Sequence, residues 1–202
     1  MGRGGGRGES EGRRPERALG IDPGSRVTGW GVVEQDGGRL RHVANGTIRL
    51  GDRLPLAERL ARLHSACQEL VVRFAPEAVV LERAFVGRNV QSAFRLGEAR
   101  GAVLAAVAVT GHPLHEYAPA EVKMAAVGHG GADKTAVGHG VRLRLGLGET
   151  VPADAADALA IALCHLQQSA LGAVMARADA ATRLPRSRLA FVAARRAPGV
   201  RA

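Results

Sequence analysis

From Ala18 onward the chain alternates short apolar runs with longer stretches in which apolar residues recur every third or fourth position. Ala18 to Asp22 is a short apolar run closed by Pro23-Gly24, which predicts a strand and a turn, and 29–34 is a second such run. Asp36-Gly37-Gly38 then predicts a hairpin into a third strand, 39–49. Leu56, Leu60, Leu63, Cys67, Leu70 and Val71 share one face of a helix over 54–74 that stops before Pro76. The unbroken run Ala78-Val-Val-Leu81 predicts, over 77–82, a strand covered on both faces and therefore parallel to a neighbour. A second long helix is expected over 89–110, a fifth strand over 113–117, short helices over 119–127 and 133–145, and a last helix from Asp154 to about Leu171. The order β-β-β-α-β-α-β-α-α-α predicts an α/β fold: a five-stranded mixed sheet, its first three strands a meander, with helices on both faces.

The ends differ from this middle. Residues 1–17 lack any apolar period and are rich in Gly and Arg, which predicts a disordered leader; 18–171 form the expected domain, and 172–202 a basic, flexible tail. The net charge of +9 suggests a polyanionic partner, but it is unevenly placed. Residues 1–19 hold five Arg against three Glu and residues 171–202 seven Arg against one Asp, so 20–170 are nearly neutral. Of 28 basic residues only Lys123 and Lys134 are lysine, which suggests that a compact ammonium is wanted at those two positions. No stretch of 18 or more apolar residues free of charge occurs, and the N-terminus has no apolar signal core, so a soluble cytoplasmic protein without a membrane partner is expected. Cys67 and Cys164 fall in predicted helices outside any zinc-type spacing, and are expected to be reduced and buried.

Four acidic residues stand where chemistry concentrates in such a sheet. Asp22 ends the first strand and Glu82 the fourth, so both would face one crevice if those strands are parallel neighbours. Asp154 and Asp157, three apart at the start of the last helix, share a face. Together they would offer hard oxygen ligands suited to magnesium or manganese. Two ions about 4 Å apart can activate water and stabilise a leaving oxygen in phosphodiester hydrolysis. Each residue also has a structural reading: Asp22-Pro-Gly is a common turn, and Asp154 with Asp157 would serve as cap and third helical residue without any metal.

The set resembles a known family. Gly20-Ile-Asp-Pro-Gly-Ser-Arg-Val-Thr-Gly-Trp-Gly31 is similar to the first motif of the RuvC Holliday-junction resolvases, Leu81-Glu-Arg-Ala-Phe85 to their second, Leu96-Gly-Glu-Ala-Arg-Gly101 to their helical segment, and Ala153-Asp-Ala-Ala-Asp-Ala-Leu-Ala-Ile-Ala162 to their last. These motifs occur in the family's order over residues 18–170. The resemblance implies a ribonuclease-H-like fold, a homodimer, and paired symmetric nicks across a four-way DNA junction in recombination and repair. It implies one or two Mg2+ ions, Mn2+ substituting, held by Asp22, Glu82, Asp154 and Asp157, and partnership with the RuvA–RuvB branch-migration complex. It further implies that Lys123 and Lys134 contact DNA, that Phe85 stacks on bases at the opened crossover, and that Arg88 meets phosphate. Trp30 departs from the smaller aromatic usual there, and the leader and long tail lie outside the resemblance.

Gly97 and Gly101, four apart in a predicted helix, suggest close approach of another backbone, from a dimer mate or from the sheet. Three other functions remain to be weighed. Asp-x-Gly-x-x-x-x-Gly after a first strand also resembles the phosphate loop of sugar-kinase and actin-like ATPases, but those enclose their nucleotide between two lobes and would leave Asp154 and Asp157 unexplained. A non-catalytic junction binder would have lost carboxylates that are all present. A ribonuclease-H-like enzyme acting on RNA is opposed only by the motifs.

Overall fold

The pleat of the first strand decides the layout. In β1 (Glu16–Asp22) Ala18 belongs to one apolar cluster while Leu19 and Ile21 belong to another, as residues on opposite faces of a strand must. β2 (Val27–Asp36) and β3 (Arg39–Arg49) continue from it as an antiparallel meander. After α1 (Leu56–Phe74), β4 (Ala78–Glu82) pairs parallel with β1, and after α2 (Val90–Thr110), β5 (Leu114–Tyr117) pairs parallel with β4. The sheet order is therefore β3-β2-β1-β4-β5. Three helices close the chain: α3 (Pro119–Val127), α4 (Lys134–Leu145) and α5 (Ala153–Thr182). This computed structural model describes residues 15–51, 53–83, 90–148 and 151–182.

Both faces of the sheet are covered, as the continuous apolar run of β4 predicts. Leu19, Ile21, Val79 and Leu81 pack against Leu63, Cys67 and Val71 of α1 and Val103 and Val107 of α2. Ala18, Ala78 and Val80 pack against Val122 of α3, Val137 and Val141 of α4, and Leu159 and Leu163 of α5. Cys67 and Cys164 are both buried and free. Trp30 lies across Gly46, its partner on β3, and its ring is 5.5 Å from that of Phe74, so the larger aromatic fills space a neighbouring glycine leaves.

Element boundaries differ from expectation at both ends. β1 begins at Glu16, so Glu16 and Arg17 belong to a strand rather than to the leader. Arg17 is held there from three sides: its N–H donates to Glu77 Oε2 (2.6 Å), its Nη2 to Glu34 Oε2 (2.6 Å) and its Nη1 to the Phe74 carbonyl (2.7 Å). Arg41 meets the other oxygen of Glu34 at 2.6 Å, and the two guanidinium groups hold that carboxyl below its usual range. At the other end α5 runs to Thr182, past the expected stop near Leu171, because its Ala-rich sequence continues to favour helix. The chain divides into two compact units, one through Gln167 and one from Gln168; the second contains the later turns of α5, where Leu171, Val174 and Met175 are exposed. By length and composition Ala153–Ala178 could cross a membrane, but nearly every residue from Ala155 to Leu166 is buried in the protein's own core.

Three glycines let α5 lie unusually close to the sheet. A Cβ on Gly20 would stand 2.0 Å from the Ala158 carbonyl oxygen, one on Gly29 1.9 Å from that of Asp154, and one on Gly31 2.6 Å from Leu159 Cγ. Gly97 and Gly101, by contrast, have nothing among the described residues within 4 Å of their Cβ positions, so the sheet is not what approaches them. Gly20→Ala or Gly29→Ala is expected to destabilise the fold by about 3 kcal/mol, the upper end of the usual cost of overpacking, because the obstacle is backbone that cannot step aside. Gly138→Ala, inside α4 with nothing near its Cβ position, is expected to be neutral or to stabilise by about 0.5–1 kcal/mol. Urea unfolding of the three variants checks both directions; equal effects would contradict the close-approach account.

Candidate active site

β1 and β4 are parallel neighbours with Ile21 opposite Leu81, so Asp22 and Glu82 leave the sheet side by side at its carboxyl edge. The glycine contacts set α5 across the same edge. α5 begins at Ala153, which makes Asp154 its second residue rather than its cap, and Asp157 follows one turn later. A cavity of about 320 Å³ opens there. Asp22, Glu82 and Asp157 line it together with Lys123 of α3, Lys134 of α4 and Arg100 of α2. Asp154 is exposed at the start of α5 and is not part of the lining, though its charge is felt by Asp22. Phe85 and Arg88 lie outside the described residues.

The electrostatics follow from this crowding. Burial, then the charges of Asp157, Glu82 and Asp154, push the Asp22 carboxyl up to about 7, with Lys134 acting in the opposite direction. Burial and Asp157 likewise raise Glu82, offset by Lys134 and Lys123. Lys134 Nζ donates to Asp157 Oδ2 at 3.2 Å, and that carboxylate is the main cause of the ammonium's raised pKa. The lysine remains exposed, so the ion pair adds little stability; its effect is to set a positive charge at the mouth of an acidic cavity. Among the described residues no three His, Cys, Asp or Glu side chains are drawn close enough to hold an ion as they stand. Mutual repulsion of like charges favours such spacing.

The model of the family described as "Crossover junction endodeoxyribonuclease RuvC" matches residues 18–165. The chain belongs to the RuvC family. Among its relatives, the crossover junction endodeoxyribonuclease RuvC of Alkalilimnicola ehrlichii is 52% identical over 164 residues, covering 81% of this chain and 99% of that one. That of Rhodospirillum rubrum is 49% identical over 164 residues, covering 80% and 97%. The solved structure of T. thermophilus RuvC in complex with a Holliday junction substrate superposes with a TM-score of 0.73 at 40% identity, covering 78% of this chain and 96% of that chain. The ribonuclease-H-like fold of RuvC is therefore the fold of this chain.

Within that frame, one residue went unassigned by sequence reasoning. Arg100 Nη1 donates to the backbone carbonyl of Glu82 (2.7 Å), and its Nη2 pairs with Glu116 on β5. It therefore braces the end of β4 from behind. The signal available was its place in Leu96-Gly-Glu-Ala-Arg-Gly101, a motif that sequence reading noted without giving its arginine a role.

The raised Asp22 pKa has a definite sign. A carboxyl whose folded pKa exceeds its unfolded value binds its proton more tightly in the fold, so stability present below pH 3.8 is lost as pH rises through about 7. With divalent cations chelated, Asp22→Asn is expected to match the native chain near pH 4 and to exceed it by about 2 kcal/mol at pH 8, the equivalent of the shift discounted for a site open to solvent. Thermal unfolding across that range measures the difference; a gap that stays constant or closes with rising pH would contradict the arrangement.

Proposed function

We propose that this chain is a crossover junction endodeoxyribonuclease: a structure-selective enzyme that resolves Holliday junctions by paired symmetric nicks in homologous recombination and DNA repair. The observation that carries the reading is the convergence of Asp22, Glu82 and Asp157 on one cavity with Lys123 and Lys134, with Asp154 near enough for its charge to act on Asp22. A purely structural set of carboxylates would not be gathered where burial and the charge of Asp157 raise the cost of ionising both Asp22 and Glu82.

The donor set fits a hard divalent cation. It offers only carboxylate oxygens, and the raised pKa values of Asp22 and Glu82 mark a place where added positive charge stabilises the ionised form. Asp22, Glu82, Asp154 and Asp157 are the residues that would hold one or two Mg2+ ions, with Mn2+ able to substitute. Such ions supply activation of water and stabilisation of the leaving oxygen. The chain's own groups do the rest. Lys123 and Lys134 present ammonium charge to the scissile phosphate and offset the charge that builds on its oxygens. Arg100, by holding the Glu82 carbonyl, keeps that carboxylate turned into the cavity. The water oxygen bonds to phosphorus as the P–O bond to the leaving sugar breaks, leaving ligatable ends.

Phe85 supplies a stacking face at the opened crossover, and Arg88 a phosphate contact. A homodimer places two such cavities on one junction, one for each symmetric nick, and the RuvA–RuvB complex supplies branch migration. The reaction belongs to the cytoplasm, where the DNA is, and involves no membrane. Residues 18–171 form the nuclease domain, with 1–17 and 172–202 as leader and basic tail apart from the segments already placed in β1 and α5.

Cleavage of a labelled four-way junction with magnesium tests this, with linear duplex and an RNA hairpin as controls. The native chain is expected to leave paired symmetric nicks in the junction alone. Asp22→Asn and Glu82→Gln should still bind the junction while cutting at least about a hundredfold more slowly. Binding without cutting by the native chain, under magnesium or manganese, would make it a junction-binding protein; preference for the hairpin would make it a ribonuclease.

A further inference from the structure

From Asp22 the carboxyl edge of the sheet continues sideways to the end of β3. Asp22 stands opposite Gly29 and Gly29 opposite Thr47, so Asp22 and Thr47 are level, and Arg49, the last residue of β3, lies further out along the same direction. Only β2 separates β3 from β1. With strands about 4.8 Å apart and about 3.3 Å of rise per residue, the backbone of Arg49 is about 12 Å from that of Asp22. The turn after β3 adds two more guanidinium groups. Arg53 follows Gly51 closely in the chain, and Arg62 of α1 brings its Nη1 to 3.8 Å from where a Cβ on Gly51 would stand. Both the turn and α1 are tied to the loop that leaves Asp22: Leu50 N–H donates to the Arg26 carbonyl (3.0 Å), and Arg59 Nη2 donates to the Ser25 carbonyl.

The arginines that hold the fold together have carboxylates: Arg17 and Arg41 meet Glu34, and Arg100 meets Glu116. Arg49, Arg53 and Arg62 are exposed and have no ion pair among the described residues; Glu58, one turn before Arg62 on α1, does not pair with it. Their placement complements that of the lysines. Lys123 and Lys134 reach the acidic cavity from α3 and α4, which pack on one face of the sheet, whereas Arg62 comes from α1 on the other and Arg49 from the sheet's edge strand. Cations thus stand on both sides of Asp22, and guanidinium groups suit phosphate oxygens.

We infer that Arg49, Arg53 and Arg62 hold the phosphate backbone of the junction arm that leaves the acidic cavity past the end of β3. The inference rests on the junction-cleaving reading of that cavity. A duplex strand carries a charge about every 3.4 Å of its axis, so the arm meets these arginines within a few nucleotides of the scissile phosphate. Phosphate contacts fix register and orientation without reading bases. Because the turn and α1 are fastened to the loop that carries Asp22, the three arginines set the direction of the arm relative to the carboxylates, at any sequence.

Arg53→Gln and Arg62→Gln test it in the full chain, with Arg39→Gln as the control. Arg39 opens β3 at the opposite edge of the sheet, about 30 Å from Arg49, and is equally exposed to solvent. With divalent ions chelated, junction affinity is measured by anisotropy over a range of salt. Arg53→Gln and Arg62→Gln are each expected to weaken binding about fivefold and to lower the salt slope by about one, and Arg39→Gln to change neither. Cleavage at saturating enzyme with magnesium should stay within about twofold of native, since a contact made equally before and during the reaction does not alter the rate at saturation. A neutral methylphosphonate, moved along the arm one phosphate at a time, should at one position weaken the native chain and leave Arg53→Gln no weaker than before, the coupling that direct contact requires. Native slopes in both variants would overturn the inference, and so would an equal fall in Arg39→Gln, which would make net charge the cause. Polyglutamate binding lost in the variants while junction binding is kept would overturn it in favour of an acidic protein. The slopes are read without cleavage. A native chain that binds the junction and never cuts therefore sinks the nuclease reading alone, and one that cuts while both variants keep its slope sinks only the inference.

Discussion

The arrangement depends on how near α5 can come to the sheet. Gly20, Gly29 and Gly31 clear a track along β1 and β2, and the carbonyls of Asp154 and Ala158 and the side chain of Leu159 occupy the space their side chains would have taken. Small residues answer from the helix, where Ala155, Ala158 and Ala162 are fully buried. Glycine in a strand costs conformational entropy and gives up packing, which the apolar burial from Ala155 to Leu166 offsets. The contact also sets the chemistry. Because Gly29 touches the carbonyl of Asp154 itself, the start of α5 is fixed where Asp157 and Asp22 open on one cavity.

That cavity works against the stability of the fold that makes it. Asp22 and Glu34 sit on adjacent strands and carry the same functional group, yet one is pushed up to about 7 while the other is held below its usual range. The difference lies in their neighbours. Glu34 has the guanidinium groups of Arg17 and Arg41, whereas Asp22 is buried among Asp157, Glu82 and Asp154 with Lys134 as partial relief. Glu34 ties the start of β1 to β2 and β3; Asp22 is kept at a cost that only a charged ligand would recover.

Much of this was legible in the sequence because the signals were local and periodic. The Asp36-Gly37-Gly38 hairpin, the i, i+4 pattern of α1 and the unbroken apolar run of β4 each carry their own structure, and 39–49 matched β3 to the residue. The grouping of Asp22, Glu82 and Asp157 followed from parallel pairing of β1 and β4, which the run of β4 implied. What was not legible depends on partners distant in sequence. Arg17 looked like part of an Arg-rich leader because its partners Glu34 and Glu77 lie 17 and 60 residues away. Gly97 and Gly101 drew notice as close-approach glycines but are not approached by the sheet, while Gly20, Gly29 and Gly31, hidden inside a recognisable motif, are the ones that meet α5. The alternative reading of Asp154 as the cap of α5 fails because the helix starts one residue earlier.

Charge gives the same lesson in another form. The net charge of +9 is concentrated near the ends of the chain, and the middle is almost balanced, so composition alone offers little reason to expect an anionic ligand there. Placement supplies the reason. Lys123 and Lys134, the only lysines in the chain, come from two different helices and meet at the cavity where Asp22, Glu82 and Asp157 meet. Arg100 closes the same cavity from α2 while its guanidinium is occupied with the Glu82 carbonyl and Glu116. The lysines and the arginine are thus set to different tasks: the arginine's planar fork is committed to the scaffold, and the flexible ammonium groups stay at the opening. A balanced domain organised in this way attracts a phosphate by local field rather than by total charge, and that field comes from the two ammonium groups placed beside the carboxylates.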